Sequence, residues 1–235
     1  MEKITVMQNR KNNGADRYVR YLYRKVKEKF SFLSGECNVC SEKDSAEFVF
    51  EGEDGYGAHL RQFIVEHVAD VLTIGYKYEY FYSNLSLPML QEKDKFLFCS
   101  ALVAADYADD KRYVQRRIEN CSTVSLDGVY NFKLKELKER WSEILSFIPK
   151  DFGEYSLENF LDYVISDGSG KAYIKENTVY DENYRKIEKS ELMGRKSLIA
   201  ELLLSGAAGV YCFGKTDRET ETFVKKYYKE KGVFC

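Results

Sequence analysis

Leu60, Phe63, Ile64, Val68, Val71 and Leu72, with His67 among them, fall on one stripe of a 3.6-residue repeat. The stripe runs on through Tyr78, Phe81 and Tyr82, with Gly75 as the place for a kink and Leu87-Pro88 as the stop. A helix this long has to bury its apolar side against other helices, and the sequence offers them. Residues 91–106 and 109–120 predict two more. KLKELKERWSEILSF places Leu134, Leu137, Trp141, Ile144 and Leu145 on one face, and Ser156 offers a cap for Leu157, Phe160, Leu161, Val164 and Ile165. LDGVYNF between them reads as a short extended link. The middle of the chain is therefore helical.

The two ends differ from the middle. KITVM (3–7) reads as a strand, NNGAD as a breaker, and Asp16 as the start of a helix to about Phe30 on Val19, Leu22, Tyr23 and Val26. Short strands are expected around Phe32 and at 46–52. Past the turn cluster SDGSG, KAYIKENTVYD predicts a hairpin turning at Glu176-Asn177. RKSLIAELLLSG predicts a helix, GVYCFG a buried strand, and Thr216 with Glu219 a capping box for a further helix ended by Gly232, with VFC as a last strand. The expected fold is α+β: a small α/β piece at 1–56, a helical region at 57–166 and a mixed α/β unit at 167–235, as three segments or as one compact domain.

A net charge of −2 gives no global field toward nucleic acid or anionic lipid, so such a surface has to be local. Lys and Arg between Arg10 and Phe30 face an acidic stretch from Glu36 to Asp54, and the two signs offset each other. No apolar run reaches the roughly 20 residues that span a bilayer, and MEKITVMQNRKNN has no apolar signal core. The expectation is a cytoplasmic protein with reduced cysteines.

Few motifs point to chemistry. Cys37 and Cys40 form a CxxC, half of a zinc site, with acidic neighbours that disfavour a thiolate. His67, on its apolar stripe, reads as a hydrogen-bonded core histidine, and neither His59 nor His67 accompanies a nucleophile elbow. SGAAG (205–209) precedes a strand, the reverse of a phosphate-binding turn. Asp106, Asp109 and Asp110 are either helix caps or a metal-dependent acid cluster. The tract IGYKYEYFY and the run ADDKRYVQRR mix aromatic with basic residues. Tyr76, Lys77, Tyr78, Arg112, Arg116 and Arg117 are the candidates for gripping nucleic acid or phosphate, or else helix faces with their rings inward. No catalytic residue, metal site or cofactor is expected.

In its layout, the stretch from LDGVYNFKLKELKERW through KAYIKENTVYD to LIAELLLSGAAGVYCFGKTDRETETFVKKYYKEKGVFC resembles the YtxC-like sporulation proteins of endospore-forming bacteria. The likeness covers about residues 120–235; IGYKYEYFY and the CxxC lie outside it. It implies a cytoplasmic protein associated with spore formation and supplies no catalytic residues. The functional expectation is a non-enzymatic protein that works by binding a protein partner. The alternatives are a nucleic-acid-binding module on the aromatic-basic residues and a metal-dependent enzyme on the aspartates.

Overall fold

The computed structural model describes residues 2–9, 16–31, 38–42, 45–52, 57–121 and 123–235. Along the chain run β1 (Glu2–Asn9), α1 (Arg17–Lys29), β2 (Asn38–Glu42), β3 (Ser45–Gly52) and α2 (Gly57–Asp70). A π-helical turn, Val71–Tyr76, leads into α3 (Lys77–Asn84). Then come α4 (Glu92–Ala105), α5 (Tyr107–Ile118), β4 (Thr123–Ser125), the single turn α6 (Leu126–Gly128) and a second π-helical stretch, Val129–Lys133. α7 (Lys135–Ser146), α8 (Glu154–Ser166), β5 (Lys171–Lys175), β6 (Thr178–Tyr180), β7 (Lys186–Ile187), α9 (Leu198–Ser205), β8 (Gly209–Phe213), α10 (Arg218–Tyr227) and β9 (Gly232–Phe234) complete it. The fold is α+β with a helical middle, as the patterning predicts. The strand expected around Phe32, residues 12–15 of the NNGAD breaker and Cys37 lie outside the described residues.

The chain forms two units, each from separated segments: residues 1–76 with 108–141, and 77–107 with 142–235. The linear division at 56 and 166 has no view of such returns of the chain. In the first unit, the sheet order is β2-β3-β1-β4, with β1 antiparallel to β3 and parallel to β4. Ile4 and Val6 of β1 are buried, as are Val19, Leu22 and Val26 of α1, which packs on β1, β3 and α2. The kink expected near Gly75 is the π-helical turn. A Cβ on Gly75 would stand 2.5 Å from Cε1 of the buried Tyr18, so only a bare backbone passes under that ring.

The second unit holds a five-stranded sheet of order β7-β6-β5-β8-β9. β5 and β6 form the expected hairpin, antiparallel from Tyr173–Tyr180 to Lys175–Thr178. Its turn residues Glu176 and Asn177 have φ of +50° and +56°, the sign a two-residue type I′ turn demands. β8 lies parallel to β5 and to β9. Ala172, Ile174, Val179, Val210 and Cys212 alternate inward, each at most 1% exposed, and α9 packs on β6 with Ala200, Leu202 and Leu203 buried. Phe98 of α4 meets Phe152 at 4.3 Å and Phe160 at 5.3 Å, filling the helical layer.

Three local expectations are corrected. LDGVYNF is helical, not extended. Ser125 Oγ accepts from the Gly128 amide at 3.1 Å, and Leu126 and Val129 are buried, so a cap and burial override the glycine. α8 begins at Glu154 instead of after Ser156, directly behind Phe152 where it packs on Phe98. Asp217 caps α10 in place of Thr216: its Oδ1 accepts from the Thr220 amide at 2.9 Å and its Oδ2 from the Thr220 hydroxyl at 2.7 Å. Among the described residues, no helix is long and apolar enough to cross a membrane.

Candidate functional site

The six aromatic-basic candidates are divided between the two units. Tyr76, the last residue of the π-helical turn, is 6% exposed. Its ring stacks on Tyr18 at 5.2 Å and lies 4.9 Å from Tyr130, while its hydroxyl donates to Asp127 Oδ1 at 3.0 Å. Lys77 and Tyr78 belong to the other unit. Lys77 is fully buried, with Nζ 3.8 Å from Asp106 Oδ2 and 5.6 Å from the Phe81 ring centre. Tyr78 stacks on Tyr82 at 5.4 Å, and burial pushes its hydroxyl up from the ordinary tyrosine value. These rings meet protein rings. On α5, in the first unit, Arg112, Arg116 and Arg117 are exposed. Arg112 pairs with Asp109, and Arg117 lies 3.3 Å from Glu136 and over Tyr113.

The aspartates likewise serve separate partners. Asp106 faces Lys77, and Asp109 is exposed beside Arg112. Asp110 is fully buried and accepts from Arg140 at 2.7 Å and from the Trp141 indole at 2.9 Å. Among the described residues, no group of three His, Cys, Asp or Glu side chains is placed to hold a metal ion. His67 is half-buried, 3.4 Å from Asp70 and from the Tyr21 hydroxyl, against the Phe63 ring.

The alternation of the hairpin builds a surface that the helical tract had overshadowed. Strand residues facing away from the buried Ala172–Ile174–Val210 side are Lys171, Tyr173 and Lys175 on β5, Thr178 and Tyr180 on β6, Lys186 on β7, Tyr211 and Phe213 on β8, and Val233 on β9. Tyr173 is the middle of a row of near-parallel rings. Tyr184 stacks on it at 4.6 Å with planes 15° apart, and Tyr211 and Phe213 stand at 5.6 and 6.3 Å. Tyr173, Lys175, Tyr180, Tyr184 and Phe213 line an open cavity of about 460 Å³. Lys171 Nζ lies 5.4 Å from the Tyr211 ring centre, within cation–π reach.

The loop before β7 holds Tyr184 in place. Asp181 Oδ1 accepts from the Asn183 and Arg185 amides at 2.9 and 2.8 Å, and the Tyr184 amide donates to the Asp181 carbonyl at 3.0 Å. This leaves Tyr184 at φ +57°, left-handed backbone that is unfavourable for a bulky residue by about 1–2 kcal/mol. A large side chain kept there, 68% exposed, is an outlier that points to use. A side-chain hydrogen bond with Tyr184 raises the Tyr173 hydroxyl above the ordinary tyrosine value, with some desolvation adding to it. The signal in the sequence was the alternation AYIK…TVY…VYCF, which marks an aromatic face only once the strands are paired.

No protein-family model, curated protein or solved structure matches the chain.

Proposed function

We propose that the protein works by binding rather than by chemistry of its own, and that its binding surface is the open face of the five-stranded sheet. The observation that carries this is the row Tyr184–Tyr173–Tyr211 with Phe213 on a sheet whose other side is buried, with Tyr184 and Phe213 exposed and Tyr173 and Tyr211 half-buried. Clustered exposed aromatic surface marks an interaction site, because folded chains rarely leave it wet without use. The free thiols Cys99, Cys121, Cys212 and Cys235 support a place in the cytoplasm. The association with spore formation rests on the resemblance of residues 120–235. The alternative of a metal-dependent enzyme draws no support from Asp106, Asp109 and Asp110, whose partners are cations and an indole.

A photo-crosslinking amino acid at Phe213, applied in living cells, tests the surface. The expected result is a discrete adduct that is absent with the same probe at the exposed Tyr163 of α8 and is lost in Tyr211→Ala. Equal labelling from both positions, or none from Phe213, would sink the reading.

A further inference from the structure

Resting on that surface, we infer that its ligand is a single-stranded nucleic acid, with bases adding to the row of rings and phosphates held by lysines. Two independent features of the face agree on this chemistry. The first is ring geometry. Tyr173 has three near-parallel partners, with planes 15° to 29° apart, and two of them, Tyr184 and Phe213, are 68% and 42% exposed. A flat base joins such a row by its π-face whatever its sequence. A duplex keeps its bases stacked inside and offers the row no such face.

The second feature is charge. The strand positions of this face carry Lys171, Lys175 and Lys186 and no carboxylate. Lys171 and Lys175 bracket Tyr173 on β5. That spacing sets a cation on either side of a stacked base, where the backbone of a strand passes. Carboxylates sit at the margins: Glu188 pairs with Lys186 at 2.6 Å, Asp181 binds loop amides, Glu176 lies in the hairpin turn and Glu182 in the Tyr184 loop, beside Gly170. Two lysines therefore remain for phosphate, and the strand positions of the face are basic although the chain as a whole is slightly acidic. An acidic protein segment would use the lysines but leave the ordered rings without a flat partner, so nucleic acid accounts for more of the surface.

The test is fluorescence anisotropy of the full chain with a labelled ten-nucleotide RNA, the DNA of the same sequence and its duplex. Two phosphate contacts to a single strand predict an affinity falling about sevenfold between 50 and 200 mM salt. Tyr184→Ala and Phe213→Ala are surface changes that leave the core intact, and each is expected to weaken binding about tenfold. Lys175→Gln should flatten the salt dependence, and Arg112→Gln with Arg116→Gln on α5 should change nothing. Loss of binding in the α5 variant with none in the sheet variants would overturn the inference, as would duplex bound as tightly as single strand. Absence of binding at 50 mM salt would overturn it too. A protein adduct at Phe213 would then leave the binding surface standing with another partner, whereas absence of any adduct would remove both.

Discussion

Asp110→Ala tests the buried carboxylate that the sequence offered as a metal ligand. The side chain is fully buried and accepts the indole N–H of Trp141 at 2.9 Å, with Arg140 at 2.7 Å on the other oxygen. A hydrogen bond to a charged group contributes about 1.5–3 kcal/mol. The Arg140 side chain is 54% exposed, so its ion pair is screened and adds about 0.5 kcal/mol. The alanine variant is therefore expected to lose about 3 kcal/mol. Asp110→Asn keeps one acceptor oxygen for the indole and should lose about half as much. Trp141 is the only tryptophan, so its emission during urea unfolding follows this site directly. With a slope of about 2 kcal/mol/M, the alanine midpoint drops by about 1.5 M, and EDTA leaves the wild-type midpoint unchanged. A loss below about 1 kcal/mol, equal losses in both variants, or a chelator-sensitive midpoint would refute the assignment of Asp110 to the indole.

Three further outcomes are expected. Gly75→Ala forces a methyl against the Tyr18 ring and should lower stability by about 1–3 kcal/mol, read as a lower unfolding midpoint; an unchanged midpoint would mean that the ring is free to move. Glu176→Asn puts a residue that tolerates positive φ into the hairpin turn and should raise the melting temperature, a gain of about 0.5–1 kcal/mol. Burial pushes the Cys99 thiol from 9.0 up to about 12, so above pH 9 the unfolded chain binds fewer protons than the folded one. Stability is then full below pH 9 and falls with rising pH, by up to about 1.4 kcal/mol per unit from this thiol. Urea midpoints of Cys99→Ala should fall less steeply than wild type between pH 9 and 11, and parallel curves would contradict the burial argument.

The elements were legible where periodicity and burial agree. The α2 stripe, the α1 start at Asp16, and the Glu176-Asn177 turn all follow from local pattern. The kink near Gly75 was legible as a place, but its form depends on Tyr18, far away in sequence. LDGVYNF misled because a glycine and a β-branched valine argue against a helix, while the Ser125 cap and the burial of Leu126 and Val129 decide for one. The aromatic-basic tract was visible as composition, yet composition does not tell an inward ring from an outward one. Tyr76 and Tyr78 point inward onto Tyr18 and Tyr82. The outward rings Tyr173, Tyr184 and Tyr211 come from strands and a loop that only pairing brings side by side. The discontinuous units escape any linear reading, since β4 joins β1 from the far side of five helices.

That last pairing has a consequence for synthesis. Val6 lies beside Val124, so one edge of β1 stays unmatched until the ribosome has delivered the chain that far. At about 5–20 residues per second, the wait is roughly 6–25 s. Over that interval the nascent first sheet presents a bare strand to its surroundings. Chain elongation past Ser125, rather than local helix formation, then sets when the Thr5–Met7 edge of β1 is covered.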